Sequence, residues 1–242
     1  MSAEYAIDGS KIKTRAGEIS YSVIRGRYTK LYFDDWNELS ITTANPVIDN
    51  VNQIIARHIR WIESNSVKLR DKVKLVNANG ILHMGMRHSA HFAYGADGVE
   101  IIGNTIFVSG KDKERCARNL IDFIANESET ECKRIAEELK VSMNVEFSQI
   151  RMLNASSMWG SCSHSKTIKI NSLVCMLPKD LMRYVVCHEM AHLKHMNHSK
   201  SFWKEVMNVC PDYAILDKKL NTYDAMRINA NDLVRLHVDG SW

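Results

Sequence analysis

The chain has 242 residues, 45% of them hydrophobic and 25% charged, with a formal net charge of +4. This balance is that of a folded globular protein and excludes a disordered tail. The charge is mild and there is no long Lys/Arg block or base-reading motif, so the sequence carries no strong nucleic-acid signal, although anionic ligands stay open.

In chain order, residues 19–24 and 30–33 are rich in β-branched and aromatic side chains and predict strands of a small antiparallel sheet. Ile48, Val51, Ile54, Ile55, Ile59 and Ile62 then recur at helical spacing, which predicts an amphipathic helix packed on that sheet. Residues 81–86 and 99–108 read as two further strands, with Gly95 and Asp97-Gly98 marking the turn between them. Acidic and basic residues alternate across 112–140 around Cys116, Leu120, Ile121, Phe123, Ile124, Ile135 and Leu139. That pattern predicts one long helix or two shorter ones with a solvated face. The shift in composition places a boundary near residue 110. Residues 1–110 are expected to form a β-rich accessory region, and 111–242 a catalytic region. Residues 145–153 and 167–174 read as strands bracketing Met158-Trp159-Gly160-Ser161-Cys162. No internal repeat or low-complexity segment is visible.

No apolar run reaches the roughly 18 residues that span a bilayer, and Met1-Ser2-Ala3-Glu4 begins no secretion signal, so the expected location is the cytoplasm. The six cysteines (116, 132, 162, 175, 187 and 210) are then expected as reduced, mostly buried thiols.

The chemistry concentrates after Pro178, which suits a first helical turn, with Leu181, Tyr184 and Val185 as the buried stripe. On that helix His188 and His192 stand four residues apart, so their rings leave one face and can share a metal. Glu189, beside the first of them, can take a proton from a water held at the metal. A catalytic zinc needs a third ligand and an open position. His195 lies seven residues from His188, about 10.5 Å along a straight helix, and would strain the site. Glu205 requires a longer return of the chain. His198 follows Asn197, which tolerates left-handed geometry, so a sharp reversal there would bring His198 to the ion from outside the helix. His188, His192 and His198 are therefore the expected ligands of one zinc ion per chain, and Glu189 is the expected catalytic base.

Around these residues the chain resembles the YgjP-like zincin metallopeptidases, the domain-of-unknown-function 45 family, related to the minimal gluzincins and more distantly to SprT-like proteins. The resemblance rests on Trp159-Gly160-Ser161-Cys162-Ser163, Ile170-Asn171-Ser172-Leu173, Pro178, the string from Tyr184 to Leu193, Asn197-His198-Ser199-Lys200-Ser201-Phe202-Trp203, and Pro211-Asp212-Tyr213. It is weaker over the N-terminal part, where Trp61-Ile62 and Ile81-Leu82-His83-Met84-Gly85 look like family landmarks. It implies an α+β fold with a zincin-like catalytic region and the same metal and base assignment. Members are classed as peptidases, and some are assigned nucleotide pyrophosphate hydrolysis. Metzincins place Gly three residues after the second histidine, where this chain has His195, so their turn is not carried over. Met207 and Met226 read as core side chains rather than a methionine beneath the metal.

Of the remaining residues, Trp159 can line a substrate cleft or pack over the helix. Ser161 and Asn171 can hold a ligating imidazole or the hairpin backbone. Cys162 and Cys187 read as buried thiols, and Phe202, Trp203, Val206 and Met207 as the apolar face of a helix behind His198. Tyr213 and Arg151 are candidates to stabilise an oxyanion. An extended peptide or unfolded protein pairing with an edge at residues 167–173 is the expected substrate. The alternatives are a nucleotide or other phosphoryl compound, without any Walker glycine-lysine loop to hold it, and a metal-containing binding module of low turnover.

Overall fold

A computed structural model describes residues 5–14, 17–33, 38–70, 72–77, 79–155 and 158–223. The segment Met1-Ser2-Ala3-Glu4 and Met226 lie outside the described residues. The fold is α+β, and the chain divides into two compact units, Met1–Val73 and Lys74–Trp242. The compositional shift near residue 110 thus falls inside the second unit, because the strands before it pack on the helix after it.

The first unit contains β1 (Ala6–Asp8), β2 (Lys11–Thr14), β3 (Gly17–Arg25), β4 (Lys30–Phe33), β5 (Leu39–Thr43) and helix α1 (Ile48–Arg70). The strands line up as β1-β2-β3-β5-β4. All pairs are antiparallel except β3 with β5, which run parallel because the β4–β5 hairpin folds back and inserts β5 beside β3. Ile12, Ile19, Tyr21, Leu39 and Ile41 from the sheet meet Val51, Ile54, Ile55, Ile59 and Ile62 from α1 in one buried cluster. Each such isoleucine contributes about 1.5–3 kcal/mol of burial free energy.

The second unit begins with β6 (Val76–Asn77), β7 (Gly80–His83), β8 (Met86–Tyr94), β9 (Gly98–Ile102) and β10 (Thr105–Gly110), ordered β6-β7-β8-β10-β9. Residues 99–108 are therefore a hairpin of two strands rather than one, turned at Gly103 with φ 59°. The single helix α2 (Lys113–Met143) follows, started by Asp112, whose carboxylate accepts from Arg115 N at 2.7 Å, and stopped by left-handed Asn144. Its 31 residues span about 46 Å and bury Cys116, Leu120, Ile124, Cys132, Ile135, Leu139 and Met143 in one stripe. The two five-stranded sheets share one strand order and each is followed by a helix, a structural repeat that no residue pattern in the sequence announces.

The last sheet, β11 (Gln149–Leu153), β12 (Gly160–Cys162) and β13 (Thr167–Asn171), has the order β11-β13-β12. A short 3-10 turn (Val174–Met176) then leads into α3 (Lys179–Ala191), α4 (Lys200–Val209) and α5 (Tyr213–Leu220). The lead-in to α3 is tied down from two sides. Ser128 Oγ on α2 donates to Ser172 O at 2.7 Å and accepts from Cys175 N at 3.0 Å. The β7–β8 turn donates Met84 N to Cys175 O and Gly85 N to Met176 O, at 2.7 and 3.3 Å. Gly85, at φ 79°, lets this turn close on Pro178: a Cβ there would stand 2.8 Å from Pro178 Cα. Among the described residues, no helix is long and apolar enough to cross a membrane.

Candidate metal centre

Helix α3 is buried along Leu181, Met182, Tyr184, Val185 and Val186, and this packing fixes its rotation so that His188 and His192 leave the same side. The helix ends at Ala191, five residues earlier than a stop at Asn197 requires. Leu193 N and Lys194 N bond back to Met190 O and Ala191 O, both at 3.1 Å, and the chain reverses in those turns. Asn197 is not left-handed; the described non-glycine residues with positive φ are Met84, Asn144 and Lys166. The reversal predicted for Asn197 thus begins upstream at His192 to Lys194 and continues through a bend at Met196 and Asn197 without left-handed geometry, delivering His198 to the same place.

His188, His192 and His198 converge, with one ring nitrogen from each inside a 4.8 Å span. His188 Nε2 and His198 Nε2 are 2.9 Å apart. Two nitrogens on one tetrahedral zinc stand about 3.3 Å apart, given bonds of about 2.05 Å, so the donor set fits one such ion. His192 Nδ1 lies 3.0 Å from His195 O. A carbonyl only accepts, so this contact puts the proton on Nδ1 and leaves Nε2 with a free lone pair. The backbone of His195 therefore serves the cluster while its ring stands apart. Burial and the two neighbouring imidazoles hold His188 down at about 4, so it is neutral at pH 7. Glu205 is engaged elsewhere, with Lys194 Nζ at 3.0 Å.

Behind the cluster, Phe202 is fully buried, with its ring centroid 4.9, 4.5 and 4.8 Å from those of His188, His192 and His198. Trp203 stacks on His198 at 5.7 Å, and Tyr213 stacks on Trp203 at 5.1 Å. Ser199 caps α4, accepting from Phe202 N at 3.4 Å. Val206 is buried as expected of that face, whereas Met207 is 49% exposed and belongs to no core.

Glu189 is 6% exposed, and its Oε2 is buried without a hydrogen-bond partner among the described residues. Burial alone pushes its carboxyl up to about 8. An unpartnered buried carboxylate is costly unless a cation or a substrate proton compensates it, which is the second respect in which this site fits a metal ion. Gly160 on β12 closes over the same carboxylate: a Cβ there would lie 2.6 Å from Glu189 Cγ and 2.7 Å from Oε1. Gly160→Ala must displace either the strand or the carboxylate. It is expected to lower turnover roughly a hundred-fold with metal content intact, as judged by kinetics beside metal analysis.

A carboxyl that titrates higher when folded contributes stability that is present at low pH and lost as pH rises towards its folded value. In metal-free protein the stability of the parent is therefore expected to fall relative to Glu189→Gln, which cannot ionise. Between pH 6 and 8 the gap should widen by about 2 kcal/mol, measured by urea denaturation in chelator. A constant gap would show that Glu189 is not held protonated.

Trp159 lines a cleft of about 230 Å³ together with Gly160, His188 and Glu189. Asn171, buried, donates to Ala155 O and Met158 O at 2.8 and 3.0 Å, so it holds the loop before β12 rather than an imidazole. Ser161 sits on β12 in register with Lys169. Arg151 is on β11, separated from β12 by β13, and donates to Gln149 Oε1 at 2.9 Å. Burial raises the Cys162 and Cys187 thiols to about 11 and about 12, which removes both as nucleophiles, and all six cysteines are free. The substrate edge expected at residues 167–173 is corrected: β13 is the central strand, paired on both sides, because the β12–β13 hairpin inserts it next to β11. Among the described residues, the edge strand beside Glu189 is β12. Sequence reasoning missed the bond from Tyr184 Oη to Asp217 Oδ1, 2.8 Å, in the lining of the cleft. Its signal, a tyrosine on the buried stripe with a phenol to satisfy, names no partner.

The family model described as YgjP-like, metallopeptidase domain, matches residues 27–223 of this chain. Two solved structures are similar over a limited span. One is the crystal structure of the metallopeptidase zymogen abylysin of Pyrococcus abyssi, 27% identical, covering 38% of this chain and 92% of that one, with a TM-score of 0.36. The other is the metallopeptidase zymogen jannalysin of Methanocaldococcus jannaschii, 27% identical, covering 37% and 96%, with a TM-score of 0.32. No curated protein is a match.

Proposed function

We propose that this chain, which belongs to the YgjP-like metallopeptidase family, is a zinc-dependent peptidase that holds one ion through His188, His192 and His198 and uses Glu189 as its general base. The observation that carries this reading is the convergence of three imidazoles next to a buried carboxylate whose Oε2 has no partner among the described residues. Zinc bound there would supply Lewis acidity, acidifying water and polarising the scissile carbonyl.

The chain's own residues supply the rest. Glu189 Oε2 takes the proton of the attacking water and returns it to the departing amine. His192 is kept in its tautomer by the His195 carbonyl, and Phe202 backs all three rings with apolar surface that excludes water from behind. The edge of β12 at Gly160, Ser161 and Cys162, unpaired among the described residues, offers backbone groups to an extended peptide, a mode that folded proteins resist because their backbone is already paired.

The charge of the cleft favours a peptide over a nucleotide. Among the described residues its lining includes two carboxylates, Glu189 and Asp217, and no lysine or arginine, whereas a triphosphate needs convergent cations. Zinc-loaded protein incubated with short peptides, unfolded proteins and nucleoside triphosphates is expected to cleave the first two and spare the third. Nucleotide hydrolysis with an intact peptide panel would overturn the peptidase reading. A protein that retains zinc and turns over neither class would instead be a binding module.

A further inference from the structure

The cleft beside His188 and Glu189 has a mixed lining that the hydrolytic chemistry does not use. Met158, Trp159, Val185 and Leu220 contribute apolar wall, and Asp217 on α5 places one carboxylate within it. Asp217 is held in a fixed position, since its Oδ1 accepts from Tyr184 Oη at 2.8 Å and Tyr184 is buried on α3, the helix that carries the histidines. Among the described residues no cation pairs with Asp217; the neighbouring Lys219 is committed to Asp180 at 2.9 Å. At about 230 Å³ the cleft is smaller than the roughly 300–1,000 Å³ that takes a whole small ligand, and suits a single side chain.

From these contacts we infer that Asp217 sets specificity: the cleft takes a lysine or arginine side chain flanking the scissile bond, its methylenes against the apolar walls and its cation on the free oxygen of Asp217. This inference rests on the peptidase reading above. Long cationic side chains are the ones that bury an apolar stem and keep a charged head, which is the pairing of surfaces this cleft presents. A hydrogen bond between two charged groups in a partly desolvated wall is stronger than one between neutral groups, so the charge of Asp217 discriminates more than its shape. A peptide's terminal amine is also cationic, but it has no stem to cover Met158, Trp159, Val185 and Leu220.

The test is a peptide library in two forms, with free terminal amines and N-acetylated so that only side-chain cations remain, digested by zinc-loaded protein and read by mass spectrometry. The parent is expected to cut next to Lys or Arg. Asp217→Asn keeps an acceptor for Tyr184 but loses the charge, and should lower the ratio of kcat/KM for Arg over Leu peptides at least tenfold. Asp217→Lys should move the preference to Glu peptides, and Tyr184→Phe should keep the preference for Arg. An equal loss on Arg and Leu peptides in Asp217→Asn, or an unchanged preference in Asp217→Lys, would reduce Asp217 to a support for Tyr184 and overturn the inference. So would a parent that cuts acetylated peptides without preference, or cuts only those with a free terminal amine, while leaving the peptidase reading intact. A parent that cuts no peptide in either form overturns both.

Discussion

Glu189→Gln is expected to lower peptide turnover by about a thousand-fold or more while the protein keeps its zinc. The substitution preserves the shape of a side chain packed at 6% exposure under Gly160, and it removes only the group able to accept a proton. General base catalysis contributes roughly 10²–10⁴ to such rates, and the other carboxylate among the described residues that line the cleft, Asp217, is engaged by the Tyr184 hydroxyl. Neither cysteine near the site can substitute, since their thiols are held at about 11 and about 12. Kinetics on a quenched peptide, paired with metal analysis of the same sample, makes the comparison. Equal rates for variant and parent at equal zinc content would assign proton transfer to another residue.

The second large effect concerns the third ligand. His198→Ala is expected to weaken zinc retention by more than about a hundred-fold, because it removes a donor already 2.9 Å from His188 Nε2, and the two remaining histidines leave the ion held by one helix alone. Glu205→Ala should retain the metal, since that carboxylate is paired with Lys194. Competition against a chromogenic chelator measures both. The reverse pattern, with zinc kept in His198→Ala and lost in Glu205→Ala, would exchange the two residues in the assignment.

What the sequence makes legible follows from the range of the interactions involved. His188, Glu189 and His192 share one helix, and four-residue spacing fixes their common face before any tertiary contact is known. His198 is reachable by the same local argument, although the reversal begins at His192 and passes Asn197 without a left-handed residue. The helices α1 and α2 are legible for the same reason, each having one apolar stripe. Strand partners are a different matter. Alternation along residues 167–171 identifies a strand and says nothing about its neighbours, so whether β12 or β13 is the free edge depends on how a hairpin inserts. Gly160 against Glu189 and Tyr184 on Asp217 bring together residues 29 and 33 positions apart, which are pairings that only packing reveals.

The central claim, that this site hydrolyses peptide bonds through Glu189 and a metal at the three histidines, is tested most directly by digestion of an unstructured polypeptide in ¹⁸O-labelled water. Zinc-loaded parent is expected to release fragments whose new C-terminal carboxylates carry the label, with labelling abolished by chelation, restored by zinc and absent in zinc-loaded Glu189→Gln. Labelled fragments that persist in that variant, or nucleoside triphosphates hydrolysed while every polypeptide stays intact, would contradict it.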